Sequence, residues 1–132
     1  MASFQFDLVA PGRVVFSGEV EHVVVPGVEG EFGVLANHAP MVAMLKPGIL
    51  VVLEPGPAQR IAVGGGYAEV NPKGLTVLAE VAVPVEEVDR ARLAMRIKDA
   101  QEDVADLAEG PARDKARELL QQLQALEAAL GH

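Results

Sequence analysis

The sequence predicts an α+β fold, with an N-terminal antiparallel β-sandwich or flattened barrel over residues 1–84 and an antiparallel α-helical hairpin over residues 85–132. Three observations carry this expectation. Before Pro84, short segments rich in Val and Ile alternate with Gly and Pro turns at intervals of about 8–12 residues, the rhythm of a sandwich or barrel. After Pro84 the apolar residues recur at steps of three and four, the period of a helix. Gly110-Pro111 breaks that helical stretch once.

The first strand covers residues 4–8, where Phe4, Phe6 and Leu8 share one face and Gln5 and Asp7 the other. Ala10-Pro11-Gly12 is a turn, and residues 14–16 and 19–25 return as strand, parted by Ser17-Gly18. Residues 26–40 read PGVEGEFGVLANHAP, with Gly27, Gly30 and Gly33 at intervals of three and Glu29 and Glu31 between them. This spacing predicts a tight, acidic, exposed loop whose backbone needs positive φ or close approach at several points. Further strands are expected at 42–45, 49–53, 60–63, 67–70 and 75–79. Lys46-Pro47-Gly48, Pro55-Gly56-Pro57, Gly64-Gly65-Gly66 and Asn71-Pro72-Lys73-Gly74 punctuate them.

Residues 86–109 and 112–130 are the two expected helices. The first carries a stripe of Leu93, Ile97, Ala100, Val104 and Leu107; the second carries Ala116, Leu119, Leu123, Leu126 and Leu130. A two-residue breaker between such stripes makes an antiparallel hairpin, and Gly131 is a helix stop. At about 25 cal/mol per Å² this thin seam cannot by itself order the helices. They need a second surface, either the sandwich or another protein, and such an element is suited to two alternative packings.

Composition narrows the function classes. Half of the 132 residues are apolar and 23% are charged, an ordinary globular balance. A formal net charge of −8 argues against nucleic acid and against adhesion to an anionic membrane surface. The start MASFQFDLVAPG lacks the basic and continuous apolar run of a signal peptide, and no stretch approaches the ~20 apolar residues of a spanning helix. The chain therefore reads as soluble and intracellular, with any membrane link made through a partner.

Catalytic chemistry finds little material. Cysteine is absent, serine occurs at Ser3 and Ser17, threonine at Thr76, and His22, His38 and His132 are far apart in sequence. No HExxH spacing is present, and the glutamates alternate with Val or Gly as on a solvated strand face. Gly64-Gly65-Gly66 lacks the Lys-Ser/Thr of a phosphate loop and reads as a sheet turn. Seven of eleven basic residues follow Pro84, but eleven acidic residues share that segment, so solubilising i,i+4 pairs compete with a partner-facing basic stripe.

Beyond these local readings, long runs of the N-terminal half carry a family likeness: DLVAPGRVVFSGEVE (7–21), the 26–40 segment, LKPG (45–48), GGGYAEV (64–70) and LTVLAEVA (75–82). In these runs the chain resembles the epsilon subunit of bacterial F-type ATP synthases, delta in mitochondrial naming. The resemblance implies a non-catalytic rotor subunit without cofactor, peripheral to the cytoplasmic face of the bacterial inner membrane. Its partners would be the gamma subunit, the c-ring and the alpha/beta catalytic head, and its work would be coupling proton translocation to ATP synthesis.

By resemblance, Glu31 and His38 match positions facing the polar loops of the c-ring, and Glu29 and Gly33 belong to the same tip. The hairpin implied by the family can rise along gamma and block ATP hydrolysis, with Arg90, Arg92, Arg96, Arg113 and Arg117 meeting an acidic segment of beta. Some members bind ATP through I/L-D-x-x-R-A; here Asp89 and Arg92 match, while Val88 and Leu93 depart. Val83 stands where those members have an acid, and Gln122 and Leu126 where they have arginines, so the resemblance implies at most a weak ATP site at Asp89 and Arg92. The alternative reading is a free-standing ATP sensor with a sandwich platform and a mobile helical arm. An independent small hydrolase is disfavoured by the residue inventory.

Overall fold

The computed structural model describes residues 2–53 and 57–130, and among them carries ten β-strands, one 3-10 turn and two α-helices. The strands are β1 (Phe4–Ala10), β2 (Arg13–Val20), β3 (His22–Gly27), β4 (Gly30–Leu35), β5 (Met41–Met44), β6 (Gly48–Leu53), β7 (Gln59–Gly64), β8 (Tyr67–Asn71), β9 (Gly74–Leu78) and β10 (Val81–Pro84). A 3-10 turn over Val85–Glu87 leads to α1 (Arg90–Asp106) and α2 (Pro111–Leu130). Pro55 and Gly56 of one expected turn, the expected helix stop Gly131, and His132 lie outside the described residues.

Period-two alternation builds the two layers. The first sheet has the order β2-β1-β9-β8-β5 and the second β10-β7-β6-β3-β4. All neighbours are antiparallel except β1 and β9, which run parallel from Gln5↔Gly74 to Val9↔Leu78. Inward residues of both sheets meet in one aliphatic core in which Phe6, Leu8, Val23, Val25, Leu50, Val52, Val63 and Val77 are fully buried. Phe6 and Phe16 pack with tilted rings at 5.3 Å between centroids, the one aromatic pair among the described residues.

Four segments differ from the sequence expectation. The expected strand 19–25 is split at Glu21, which stands between β2 and β3. Strand β2 runs unbroken through Ser17-Gly18, because both residues keep cross-strand partners in Asp7 and Phe6; the irregularity is a bulge at Leu8/Val9 instead. Residues 26–40 are largely ladder and not a free loop, since β3 pairs with β4 from His22↔Leu35 to Gly27↔Gly30. A tenth strand, Val81–Pro84, closes the second sheet on β7.

Helix α1 starts at Arg90 and not at 86, because the Asp89 side chain accepts the Arg92 backbone N–H at 3.0 Å and caps the helix there. Pro111 sits inside the first turn of α2, where its missing N–H costs nothing. The Arg90 Nη2 donates to the Leu130 carbonyl at 3.1 Å, tying the first turn of α1 to the last turn of α2, so the pair is antiparallel. A second apolar cluster, separate from the sandwich core, joins Leu93, Ile97, Ala100, Leu123 and Leu130 to the fully buried Ala62, with Ile49, Leu120 and Leu126 alongside. The sandwich is thus the second surface the hairpin needs: it lies over β6 and β7. Burial concentrates at the capped end; Leu119 and Leu107 of the expected stripe stay 42% and 38% exposed, and Leu120 packs in the seam instead.

Candidate functional site

The tip of the β3–β4 hairpin is a two-residue connection, Val28-Glu29, between the paired Gly27 and Gly30. Gly27 is required by close approach: a Cβ there would lie 2.9 Å from the Gly30 carbonyl oxygen and 3.1 Å from the Phe32 ring. Positive φ is confined to Gly30 and Asn37 in this region. The tip is fastened to β5, because the Val28 N–H donates to the Met44 carbonyl at 2.9 Å and the Lys46 N–H to the Pro26 carbonyl at 3.0 Å.

Glu29 and Glu31 are both exposed on this fastened tip, and they form no ion pair among the described residues. Beside them a groove of about 490 Å³ runs between β4 and β5, lined by Val28, Phe32, Val42 and Met44. The combination is a rigid acidic rim over an apolar floor. It can accept donors and cations from a partner without an ordering cost in the backbone.

Gly33 and His38 lie elsewhere on the same edge. Gly33 is in the middle of β4, and a Cβ there would come within 2.7 Å of the His22 Nε2, so the His22 ring lies over it. His38 follows the far end of β4, half-buried, with its backbone N–H donating to the Leu35 carbonyl at 3.2 Å. Its Nδ1 is 2.8 Å from the Ala39 carbonyl oxygen. Six residues of strand are about 20 Å long, so the glutamates and His38 mark opposite ends of one sheet edge and not a single cluster. The His22 ring is a neighbour for which no sequence pattern carries a signal.

On the hairpin, Asp89, Arg92 and Arg96 line a depression of about 210 Å³ with Ala62, Val81, Val88 and Leu93. Val83 and Leu126, two positions that lack the charge expected of an ATP-binding member, line the same depression. One oxygen of Asp89 is engaged as the helix cap. Arg113 pairs with Glu109 at 3.3 Å and Arg117 with Asp114 at 3.7 Å, both beside the interhelical turn. Measured from the end where Arg90 meets Leu130, at 1.5 Å per residue, Arg113 lies about 25 Å along the hairpin from Arg90, whereas Arg117 and Arg96 are only about 10 Å apart along it. No helix among the described residues is long and apolar enough to cross a membrane.

Residues 3–85 match the family model described as ATP synthase, Delta/Epsilon chain, beta-sandwich domain. The chain is 52% identical over 130 residues to the ATP synthase epsilon chain of Nitrobacter winogradskyi, covering 98% of this chain and 96% of that relative. It is 49% identical over 129 residues to the ATP synthase epsilon chain of Mesorhizobium japonicum, with coverage of 97% and 96%. Among solved structures it resembles a chain in the cryo-EM structure of Euglena gracilis mitochondrial ATP synthase, OSCP/F1/c-ring in rotational state 1. That match has a TM-score of 0.79 and 32% identity over 98% of this chain and 82% of that one. A chain of the Tetrahymena thermophila mitochondrial ATP synthase central stalk/c-ring shares the fold alone, at TM-score 0.62 and 10% identity.

Proposed function

Because the chain belongs to the ATP synthase delta/epsilon family, we propose that it is a non-catalytic subunit of the central stalk, coupling rotation of the c-ring to ATP synthesis in the catalytic head. The observation that carries this is the likeness to epsilon chains at 52% identity over 98% of the chain, helices included. The fold supports it with a rigid platform, an exposed acidic tip and a helical pair docked through a core of its own.

In this reading the protein works peripherally, at the cytoplasmic face of the bacterial inner membrane, with gamma, the c-ring and the alpha/beta head as partners. Glu29 and Glu31 grip the polar loops of the c-ring, with Gly33 and His38 further along the same edge. The fastening of the tip to β5 supports that role, because a torque-bearing contact needs a stiff base. Arg90, Arg92, Arg96, Arg113 and Arg117 face beta when the hairpin leaves the sandwich and slows hydrolysis. The Arg90 bond to the Leu130 carbonyl lies within the hairpin and breaks only where the two helices also separate. Asp89 and Arg92 offer ATP at most a weak site, since apolar Val83 and Leu126 stand beside them.

The test replaces residues 27–40 in the assembled synthase and measures proton-driven ATP synthesis in vesicles beside the rate of ATP hydrolysis. Hydrolysis that continues while synthesis falls is the expected result. Normal proton-driven synthesis with the segment replaced would refute the coupling role.

A further inference from the structure

The outer face of β4 has a gap in its side chains, and a residue of the neighbouring strand fills it. Strand alternation puts Glu31, Gly33 and Leu35 on that face, since Val34 between the last two is buried in the core. On β3 the same face carries His22, Val24 and Pro26, opposite Leu35, Gly33 and Glu31 respectively. The middle position of β4 therefore has no side chain. His22 is the diagonal neighbour of Gly33, a separation that an aromatic ring can span. Its Nε2 stands 2.7 Å from where a Gly33 Cβ would be, with Cδ2 and Cε1 of the same ring at 3.6 and 3.7 Å. The ring meets Gly33 tip first and occupies the place of the missing side chain.

Backbone conformation does not call for glycine at this position. Gly33 has no positive φ, unlike Gly30, so an alanine could follow the same backbone. The His22 side chain has no hydrogen bond or ion pair among the described residues. Its cross-strand neighbours are Leu35 on one side and Leu53 on the other, so apolar packing and the contact with Gly33 set its direction.

The contact bears on Glu31. Strand β4 is an edge with β3 as its single ladder neighbour, and glycine inside such a strand weakens it. Glu31 lies two residues, about 6.7 Å, from Gly33. At that lever arm, about 10° of play at Gly33 moves the Glu31 backbone by about 1.2 Å, beyond the ~0.5 Å within which a binding constellation has to be held. On its other side Glu31 is already fixed, because the Val28 N–H donates to the Met44 carbonyl at 2.9 Å. The His22 ring supplies the second fixing point.

We propose that His22 is a positioning residue for coupling: its ring stands in for the side chain that Gly33 lacks and holds Glu31 in place on the acidic edge. This rests on the reading in which that edge grips the c-ring.

The experiment uses the assembled synthase in vesicles and reads proton-driven ATP synthesis beside ATP hydrolysis. His22→Ala is expected to lower synthesis about threefold or more while hydrolysis continues. Adding Gly33→Ala to that variant returns a methyl group to the vacated position and is expected to regain most of the lost synthesis. Val77→Ala, a core change in the other sheet, lowers stability without touching the contact and is expected to keep the wild-type ratio of synthesis to hydrolysis. Amide exchange along β4 in the free full-length chain is the second readout, expected faster in His22→Ala and restored in the double variant. Circular dichroism checks each fold, and His22→Asn, shorter than the ring, carries the test if His22→Ala misfolds. Wild-type coupling or unchanged β4 exchange in both His22 variants overturns the proposal and leaves the c-ring contact standing. A loss that Gly33→Ala does not recover, or an equal loss in Val77→Ala, overturns it by assigning the effect to stability. Normal synthesis with residues 27–40 replaced overturns the c-ring reading itself, and this proposal with it.

Discussion

Replacing Gly66 by Ala tests whether the turn between β7 and β8 is set by backbone contact. Gly66 has φ +91, and a Cβ built there lies 1.8 Å from the Leu78 carbonyl oxygen, where carbon and oxygen normally stay about 3.3 Å apart or more. The backbone therefore has to open by roughly 1.5 Å at a point where Tyr67 pairs with Leu78 and where the Leu45 N–H donates to the Gly66 carbonyl at 3.0 Å. Left-handed backbone costs a non-glycine residue about 1–2 kcal/mol, and forced overlap adds about 1–3 kcal/mol. For a chain of this size each kcal/mol moves Tm by about 3–5 °C, so Gly66→Ala should melt about 6–25 °C below wild type. Gly12→Ala is the matched control, because Gly12 has φ +79 but open space around its Cβ position. It should lose only the conformational part, about 3–10 °C. The assay is a thermal melt by circular dichroism of both full-length variants. Equal melting temperatures for the two would refute the claim that contact with Leu78 adds anything beyond the φ requirement.

Three further outcomes follow from the packing. Asp89→Ala should destabilise the start of α1 by about 1 kcal/mol while Asp89→Asn retains most of the cap, read as amide exchange at Arg92. Leu123→Ala, at the seam between hairpin and sheet, should cost about 2–4 kcal/mol and speed exchange in both helices while the sandwich core stays protected. Gly27→Ala meets the Gly30 carbonyl oxygen and the Phe32 ring, so it should disorder the β3–β4 tip, broadening the amide signals of Glu29 and Glu31 in NMR spectra.

The legible part of this fold is the part where one rule acts alone. Phe4, Phe6 and Leu8 alternate with polar neighbours and form β1 as expected, and Gly110-Pro111 separates two helices. Strand β4 was hidden because GEFGVL holds two glycines and a glutamate, and edge strands tolerate such residues through pairing with a single neighbour. Strand β10 was hidden by its brevity, four residues that end on Pro84. The start of α1 carried a usable signal in Asp89, an N-cap residue type placed before a helical stripe. The positions of Glu29, Glu31, Gly33 and His38 along one edge, and of Asp89 with Arg92 beside Val83, depend on register between distant strands and helices. A sequence pattern states which face a residue takes, but which residues become neighbours is decided by pairing.

The parallel ladder between β1 and β9 has a consequence for biosynthesis. Gln5 meets Gly74 in that ladder, so the two strands are made 69 residues apart, 74 less 5. At about 5–20 residues per second, the β1–β2 ribbon spends roughly 3–14 s on the ribosome before its central neighbour exists. During that time β1, which carries the finally buried Phe6 and Leu8, has only β2 as a hydrogen-bonded neighbour, and its other edge stands open. Sheet completion is therefore deferred until more than half of the chain has been translated, and the nascent protein is most exposed to strand-mediated misassociation in that interval.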